Sequence, residues 1–279
     1  MRIPTAILTL LTGMALVLTG LWVGQHVNLL PVDASVNAPV YDELFRVLFS
    51  ISTILFLGIV GLIGYSLVRF RRRAGDSGDG AAIEGNLPLE ILWTAIPAVV
   101  VLFVGIYSYD IYDRMGGMAP LNDHSMHAMH SDAAEERTWG GISPVSLDSD
   151  SQLAPLPVDV TAMQFAFIFH YPEGDITTGE LHVPVGQPVA LHMKAVDVIH
   201  AFWVPQFRLK QDVIPGQPTL LSFTATRAGR YPIICAELCG PYHGGMRSTV
   251  IVEEPDSFAA WVAQNSPIAS PSAPTPVQS

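Results

Sequence analysis

The chain has 279 residues, of which 49% are hydrophobic and only 14% are charged, and its formal net charge is −11. This composition is too apolar for a wholly soluble protein and indicates a part embedded in a membrane. The negative net charge, and the position of the arginines beside an apolar segment, argue against a nucleic-acid-binding protein.

Three segments contain no Asp, Glu, Lys or Arg and predict membrane-spanning helices: residues 3–23, 47–68 and 91–109. Each approaches the roughly 20 residues that a helix needs to cross a bilayer. The first segment is also compatible with a secretory signal cut after Ala34, but its apolar stretch is longer than the ~7 to 15 residues usual for such signals. We therefore expect an uncleaved N-terminal helix in residues 1–40 and a transmembrane hairpin in residues 41–112.

A cluster of arginines follows the second apolar segment directly, at residues 69 and 71–73. Clustered arginines beside a membrane helix stay on the cytoplasmic side. The sequence therefore predicts that the large C-terminal part lies outside, on the periplasmic or lumenal side of the membrane.

Residues 113–156 lose the apolar periodicity and have the Gly, Ser, Asp and Pro content of a flexible linker. Within this linker, His and Met residues at positions 124–130 have side chains that bind soft metals. A solvated tether without a metal role is the simpler interpretation of this tract.

From residue 157 to residue 255, short apolar runs alternate with turn signals, which predicts a β sandwich or barrel. The predicted strands are residues 158–171, 179–183, 188–194, 219–225, 229–234 and 247–252. The remaining residues, 256–279, become rich in Ser, Pro and Ala and predict a largely disordered tail.

The loop between the last two predicted strands holds the only two cysteines of the chain, Cys235 and Cys239, followed by His243 and Met246. Thiolate, imidazole and thioether donors favour copper over hard cations, and a weak methionine ligand is typical of electron-transfer copper. Two thiolates can bridge two copper ions, each of which needs a terminal histidine. His243 is one candidate and His200 is the other. A disulfide is the alternative outside the cytoplasm, but it leaves the histidine and methionine spacing unexplained.

The loop Cys235-x-Glu-x-Cys-x-x-x-His-x-x-Met246, with the upstream Asp197-x-x-His200 and the stretch Leu-Lys-Gln-Asp-Val-Ile-Pro-Gly at 209–216, resembles subunit II of haem-copper cytochrome c oxidases. The resemblance covers residues 40–255 and implies a membrane-anchored α + β protein, with helices before a C-terminal cupredoxin-like Greek-key β barrel. It also implies a dinuclear copper centre, CuA. Its bridging ligands would be Cys235 and Cys239, its terminal ligands His200 and His243, and its weak ligands Met246 and the Glu237 backbone carbonyl.

The resemblance assigns roles to two carboxylates. The Glu237 side chain would bind Mg²⁺ or Mn²⁺ at the boundary with subunit I, since a hard carboxylate suits a hard cation; the alternative is a solvent-facing loop acid. Glu90, at the cytoplasmic mouth of the last span, would take up protons for the catalytic subunit, because ionisable residues at membrane segments are functional candidates. The alternative for Glu90 is a carboxylate in the headgroup zone.

Electron input in this family uses an exposed aromatic side chain in a Gln-Trp-x-Trp segment, and this chain has Gln-Phe-Ala-Phe at residues 164–167. Phe165 is therefore the candidate for electron input, without the indole, and core packing is the alternative for Phe167. Complementary charge steers the encounter of proteins, so an acidic collar for a basic cytochrome c is expected. Its candidates are Asp197, Asp212, Glu173 and Asp175.

The implied function is electron input to a respiratory oxidase that reduces O2 to water and translocates protons. Cytochrome c or a similar small protein would donate electrons to CuA, which would pass them to haem in subunit I. The implied partners are subunit I with its haem and CuB, subunit III and membrane lipid, in a prokaryotic cell membrane or an internal energy-transducing membrane. The alternatives are a membrane-anchored copper chaperone and a quinol oxidase subunit II, which lacks the copper ligands.

Overall fold

The computed structural model describes residues 4–72, 75, 78–80, 82, 84–116, 139–140 and 154–267. It divides into two compact units. The helical unit lies within residues 1–30 and 42–111, and the β domain lies within residues 31–41 and 112–279. The His- and Met-containing tract at 124–130 lies outside the described residues.

Long apolar helices dominate the N-terminal half of the chain. They are α1 Thr5–His26, α2 Ala38–Arg69 and α3 Leu87–Arg114. Each is long and apolar enough to cross a membrane, and most of their large apolar side chains are exposed. The predicted apolar helices are confirmed. The helices extend beyond the uncharged segments because charged residues at helix ends can reach the polar headgroup region.

Helix α1 packs closely against α2 through two glycines spaced four residues apart. Gly20 and Gly24 are the buried residues of α1. A methyl group on Gly20 would overlap the side chain of Ile54, and one on Gly24 would overlap the hydroxyl of Ser50. Small residues at this spacing let the backbones of two membrane helices approach each other. The glycines therefore place α1 in direct contact with the first half of α2.

The β domain consists of two sheets that enclose one core. The strands are β1 Trp139–Gly140, β2 Leu156–Met163, β3 Ala166–Tyr171, β4 Ile176–Thr178, β5 Leu181–Pro184, β6 Pro188–Ala195, β7 His200–Val204, β8 Leu209–Val213, β9 Thr219–Thr224, β10 Gly229–Cys235 and β11 Arg247–Glu253. The larger sheet has the strand order β1-β9-β6-β2-β3-β4, and the smaller sheet has the order β5-β11-β10-β7-β8.

The core forms because buried and more exposed residues alternate along most of the longer strands. Phenylalanines from both sheets meet inside, including Phe169 of β3, Phe202 of β7 and Phe223 of β9, each at most 1% exposed. Full burial of one such side chain stabilises a fold by about 1.5–3 kcal/mol. The two-sheet arrangement confirms the predicted cupredoxin-like barrel.

The strand pattern differs from the prediction at the first predicted strand, residues 158–171. This segment forms two antiparallel strands, β2 and β3, with Met163 opposite Ala166. The turn contains Gln164 and Phe165, without Gly or Pro, so composition gives no turn signal there. Strand β8 was not predicted because Lys210, Gln211 and Asp212 interrupt its apolar pattern.

The segment before α2 is fixed to the β domain by backbone hydrogen bonds. The Ala34 amide donates to the carbonyl of Gln206 over 3.0 Å, and the Thr226 amide donates to the carbonyl of Ala34 over 3.0 Å. Ser35 donates its hydroxyl proton to the carbonyl of Phe207 over 2.8 Å. Ala34 is fully buried and Ser35 is 2% exposed, so this segment is an integral part of the β domain.

A short helix, α4 Pro255–Asn265, follows the last strand. All of it except Pro255 lies within residues 256–279, which the sequence predicts as a largely disordered tail, and the prediction is corrected for residues 256–265. The Trp261 ring stacks on the ring of His182 at 4.1 Å and contacts Tyr171. Aromatic contacts of this kind bury a large area, and they attach α4 to the β domain. Residues 268–279 lie outside the described part of the chain.

Candidate metal centre

Two neighbouring strands bring the candidate metal ligands together at one end of the β domain. Strand β10 ends at Cys235, and β11 begins at Arg247, directly after Met246. The loop between them is closed by a hydrogen bond from the Cys235 amide to the Met246 carbonyl over 3.1 Å. Strand β7 pairs with β10 through Phe202 and Cys235, which places His200 at the start of β7 beside the loop.

The predicted side-chain ligands converge. The Sγ atoms of Cys235 and Cys239 are 3.8 Å apart, and Cys235 Sγ lies 3.9 Å from His200 Nδ1. Cys239 Sγ lies 3.6 Å from His243 Nδ1 and 3.7 Å from Met246 Sδ. Both cysteines are free thiols, so the structure does not contain the disulfide considered as an alternative. Soft donors at these separations fit soft metal ions such as copper.

Among the described residues, the donor atoms of His200, Cys235 and Cys239 lie within 4.8 Å of one another. The backbone carbonyl oxygen of Glu237 approaches the same cluster and lies 3.3 Å from Cys235 Sγ. The Glu237 side chain is half-buried, and its carboxylate does not belong to this group of donors.

The centre is shielded from water. His200 and Met246 are fully buried, and both cysteines are 3% exposed. Burial, together with the hydrogen bond and charge of Cys235, raises the pKa of the Cys239 thiol to about 11. A buried thiolate is unfavourable without a compensating positive charge. A metal cation supplies that charge, so the site favours metal-bound thiolates over free ones.

His200 is oriented by Asp197. With Nε2 protonated, His200 donates a hydrogen bond to Asp197 Oδ1 over 2.8 Å, and its Nδ1 atom remains directed at Cys235. Asp197 also accepts hydrogen bonds from the amides of Gln164 (2.6 Å) and Val198 (2.7 Å). Partial burial opposes ionisation, but these bonds together lower the pKa of the Asp197 carboxyl below its ordinary value. Carboxylate partners of this kind orient metal-binding histidines.

The turn between β2 and β3 is attached to the ligand loop through Gln164. Its Nε2 atom donates to the carbonyl of Cys239 over 2.5 Å. Gly240, the next residue, has φ of +134°, and a Cβ there would lie 2.8 Å from Gln164 Nε2 and 3.3 Å from the Phe165 ring. The loop therefore needs glycine at this position. Sequence reasoning missed both contributions, since 75 residues separate Gln164 from Cys239.

Phe165, the predicted electron-input residue, is partly buried against the core. Its ring contacts Tyr242 edge to face, with 5.4 Å between ring centroids. Tyr242 is 72% exposed and directly precedes His243. Tyr242 is not among the residues predicted from the sequence, where its place inside the ligand loop is the one signal for it. Phe167 is 2% exposed and packs on Phe202, as a core residue does.

The candidates for an acidic collar lie in or after different strands of the β domain. Asp197 bonds to His200, and Asp212 pairs with Lys210 at 2.6 Å on the surface. Glu173 and Asp175 follow the far end of β3, about 20 Å from the Phe165 end at the usual rise of ~3.4 Å per residue. Glu173 and Asp175 therefore lie away from the Phe165 end of β3, and the collar for a basic cytochrome c stays a prediction.

Glu90 has a local structural partner at the start of α3. Its carboxylate accepts a hydrogen bond from the Asn86 amide over 3.0 Å, and Asn86 Oδ1 accepts one from the Leu89 amide over 3.2 Å. Such reciprocal bonds satisfy amides that have no partner in the first turn of a helix. Glu90 also borders a shallow apolar groove with Ile91, Thr94, Ala95 and Ala98.

Comparison with known proteins assigns the family. Residues 20–111 match the family model of the cytochrome c oxidase subunit II transmembrane domain, and residues 174–254 match that of its periplasmic domain. The chain is 49% identical to cytochrome c oxidase subunit 2 of Thermostichus vulcanus, over 96% of this chain and 88% of that protein. It is 46% identical to the protein of the same name from Synechocystis sp., over 96% of this chain and 85% of that protein.

Among solved structures, the periplasmic domain of subunit II of cytochrome oxidase of Bradyrhizobium japonicum is similar, with a TM-score of 0.39, 30% identity and coverage of 42% of this chain and 97% of that one. The matched family domains confirm a membrane-anchored chain with an outer C-terminal domain. Together with the identity to full-length relatives, they show that this chain belongs to the cytochrome c oxidase subunit II family and is part of an oxidase complex.

Proposed function

We propose that this chain is the electron-input subunit of a proton-translocating cytochrome c oxidase. It accepts electrons from cytochrome c at a dinuclear copper centre and passes them to haem in subunit I, where O2 is reduced to water. The observation that carries the proposal is the convergence of both cysteines with His200, His243 and Met246 in one cluster, in which every residue except the partly exposed His243 is buried.

Cys235 and Cys239 would hold the two copper ions as bridging thiolates, and His200 and His243 would each complete one ion. Met246 and the Glu237 carbonyl would be the weak ligands. When bound, the copper pair supplies a redox centre that takes up and releases one electron at a time. This donor set also distinguishes the chain from a quinol oxidase subunit II, which lacks copper ligands.

The protein keeps these ligands in place through hydrogen bonds that do not depend on the metal. Asp197 orients His200, the Met246 carbonyl accepts from the Cys235 amide, and Gln164 binds the Cys239 carbonyl. Ligands that are fixed and buried in advance rearrange little when the charge of a site changes. Fast electron transfer requires small rearrangement. The burial of His200, Met246 and both cysteines keeps the centre away from water.

The subunit is proposed to span a prokaryotic cell membrane or an internal energy-transducing membrane with α1, α2 and α3. Arg69, Arg71 and Arg72 would lie on the cytoplasmic side and the β domain on the periplasmic or lumenal side. Its partners would be subunit I with haem and CuB, subunit III, lipid and cytochrome c. In this orientation Glu90 would lie at the cytoplasmic end of α3 as a proton-uptake residue, and the Glu237 carboxylate would bind Mg²⁺ or Mn²⁺ at the subunit I boundary.

Electron paramagnetic resonance of the purified oxidase complex tests the copper centre. A mixed-valence copper pair gives a seven-line hyperfine pattern, and metal analysis should find two copper ions in this subunit. Replacing either cysteine (Cys235→Ser or Cys239→Ser) should abolish the signal. A four-line mononuclear signal in the wild-type complex, or a seven-line signal that survives loss of either cysteine, would refute the proposal.

A further inference from the structure

The ligand loop presents one large aromatic side chain to solvent. Tyr242 is 72% exposed and is bonded directly to His243, whose Nδ1 atom lies 3.6 Å from Cys239 Sγ. Its ring is held on one side by the edge-to-face contact with Phe165, at 5.4 Å and an interplanar angle of 77°. Aromatic pairs in this geometry contribute more to stability than the burial of their surface area alone would give. The Tyr242 ring is therefore held at the surface with its other side accessible.

Phe165 connects this exposed ring to the interior of the site. It is partly buried against the core, and its ring lies 3.3 Å from the position that a Cβ of Gly240 would occupy. The preceding residue, Gln164, binds the carbonyl of Cys239. Tyr242 is therefore connected to the ligand cluster in two ways. It is covalently linked to His243, and its ring contacts Phe165, which lies against the backbone beside Cys239.

The surface around Tyr242 is apolar rather than strongly charged. Leu238 is 78% exposed, and Pro241 is exposed beside Tyr242. The loop carries one carboxylate, Glu237, and Arg247 places a guanidinium against the loop by donating to the carbonyl of Gly244 over 3.3 Å. Exposed aromatic and aliphatic side chains, on a surface that has no excess of positive or negative charge, are typical of the centre of a protein–protein contact.

We propose that Tyr242 is the residue on which a soluble one-electron haem protein docks and past which its electron enters the ligand loop, with Phe165 behind it as a positioning residue. The inference rests on the proposed copper centre as electron acceptor. In the step, the ferrous haem of the donor would be oxidised to ferric haem, and its electron would pass to the copper pair that the ligand loop would hold. No covalent bond forms or breaks, and the Tyr242 hydroxyl keeps its proton.

Stopped-flow reduction of the purified oxidase complex by ferrous cytochrome c tests this role. Tyr242→Ala should lower the second-order rate constant at least about tenfold and weaken binding of ferric cytochrome c to a similar extent, as loss of a central contact residue does. Tyr242→Phe retains the ring and should stay within about twofold of wild type. Thr177→Ala is the control, since Thr177 is an exposed, uncharged residue of strand β4, outside the ligand loop, and it should stay within about twofold.

Reduction by hexaammineruthenium(II), which needs no protein contact, should change less than about twofold in each variant. The electron paramagnetic resonance spectrum of each variant should equal that of the wild type. The inference is overturned by any of three results: Tyr242→Ala reacts with cytochrome c at the wild-type rate, Thr177→Ala loses as much rate as Tyr242→Ala, or reduction by ruthenium slows as much as reduction by cytochrome c. A wild-type complex without the seven-line signal would instead refute the copper centre itself.

Discussion

The Nε2 atom of His200 donates a hydrogen bond to Oδ1 of Asp197 over 2.8 Å, and the other ring nitrogen of His200 points at Cys235. This bond selects the tautomer in which Nδ1 is free to bind a metal. Asp197 is itself fixed by the amides of Gln164 and Val198. The carboxylate therefore connects the β2–β3 turn with the metal centre.

Replacing Asp197 should weaken copper binding. Asp197→Ala removes the acceptor of His200 and should lower the copper affinity of the chain about 10- to 100-fold, the usual effect of losing such a partner. Asp212→Ala removes an acid that pairs with Lys210 on the surface, and it should leave the affinity within about twofold. Competition with a chelator of known affinity measures the copper affinity of both variants. Equal losses in the two variants would contradict an orienting role for Asp197.

Copper binding should become tighter as the pH rises. The pKa of Cys239 is raised to about 11, so the thiol is protonated at neutral pH in the metal-free chain and must lose its proton to bind. Between pH 7 and 9, the apparent affinity should rise about tenfold per pH unit for each thiol proton released. Calorimetric titration in buffers of different ionisation enthalpy counts these protons. Copper binding without proton release would show that the thiols are already ionised.

Residue types were sufficient to predict the donor side chains that converge in the structure and the three apolar helices, because donor chemistry and the absence of charge are visible in the sequence. The position of the metal loop between the last two strands was also predictable, since turn signals bound those strands. The roles of Asp197, Gln164 and Tyr242 were not predictable, because each depends on a contact or an exposure that only the fold creates. The sequence predicts Asp197 as part of an acidic collar, whereas its carboxylate in the structure accepts a hydrogen bond from His200.

The helix α4 was missed for a related reason. Its residues have a weak apolar pattern. Its stability comes from the stacking of Trp261 on His182, which lies in strand β5. The prediction of a single strand at residues 158–171 was wrong for the same reason, because the segment forms the paired strands β2 and β3. The turn at Gln164 and Phe165 has no Gly or Pro, and its geometry is supported by hydrogen bonds to Asp197 and Cys239.

Gly240→Ala should disturb the centre, whereas Gly244→Ala should not. Gly240 has a φ of +134°, and a Cβ there would press on Gln164 Nε2, so the substitution should cost about 1–3 kcal/mol of stability. Gly244 lies in the same loop, has no positive φ, and has no atom within 4 Å of the position that an added Cβ would occupy. Its substitution by alanine should change the stability by less than about 0.5 kcal/mol. Thermal unfolding of the full-length chain in detergent compares the variants. Equal unfolding temperatures would show that the loop adapts to the added methyl group.

The contact of α1 with α2 and the burial of Ala34 and Ser35 predict that α1 remains in the mature protein. A cut after Ala34 would create a charged amino group at Ser35, which is 2% exposed, and burying an unpaired charge is strongly unfavourable. The intact mass of the purified subunit should therefore correspond to a chain that includes α1, residues 5–26.

The glycines of α1 allow a separate test of the same contact. Gly24→Leu should lower the yield of assembled oxidase and its thermal stability, because the added side chain would overlap Ser50 of α2. Gly13→Leu is the matched control, since Gly13 lies in the same helix with no described neighbour within 4 Å. The two variants should differ in the amount of complex recovered from the membrane. If mass measurement instead showed a mature chain that begins at Ser35, the contacts of Gly20 and Gly24 with α2 would not exist in the assembled oxidase.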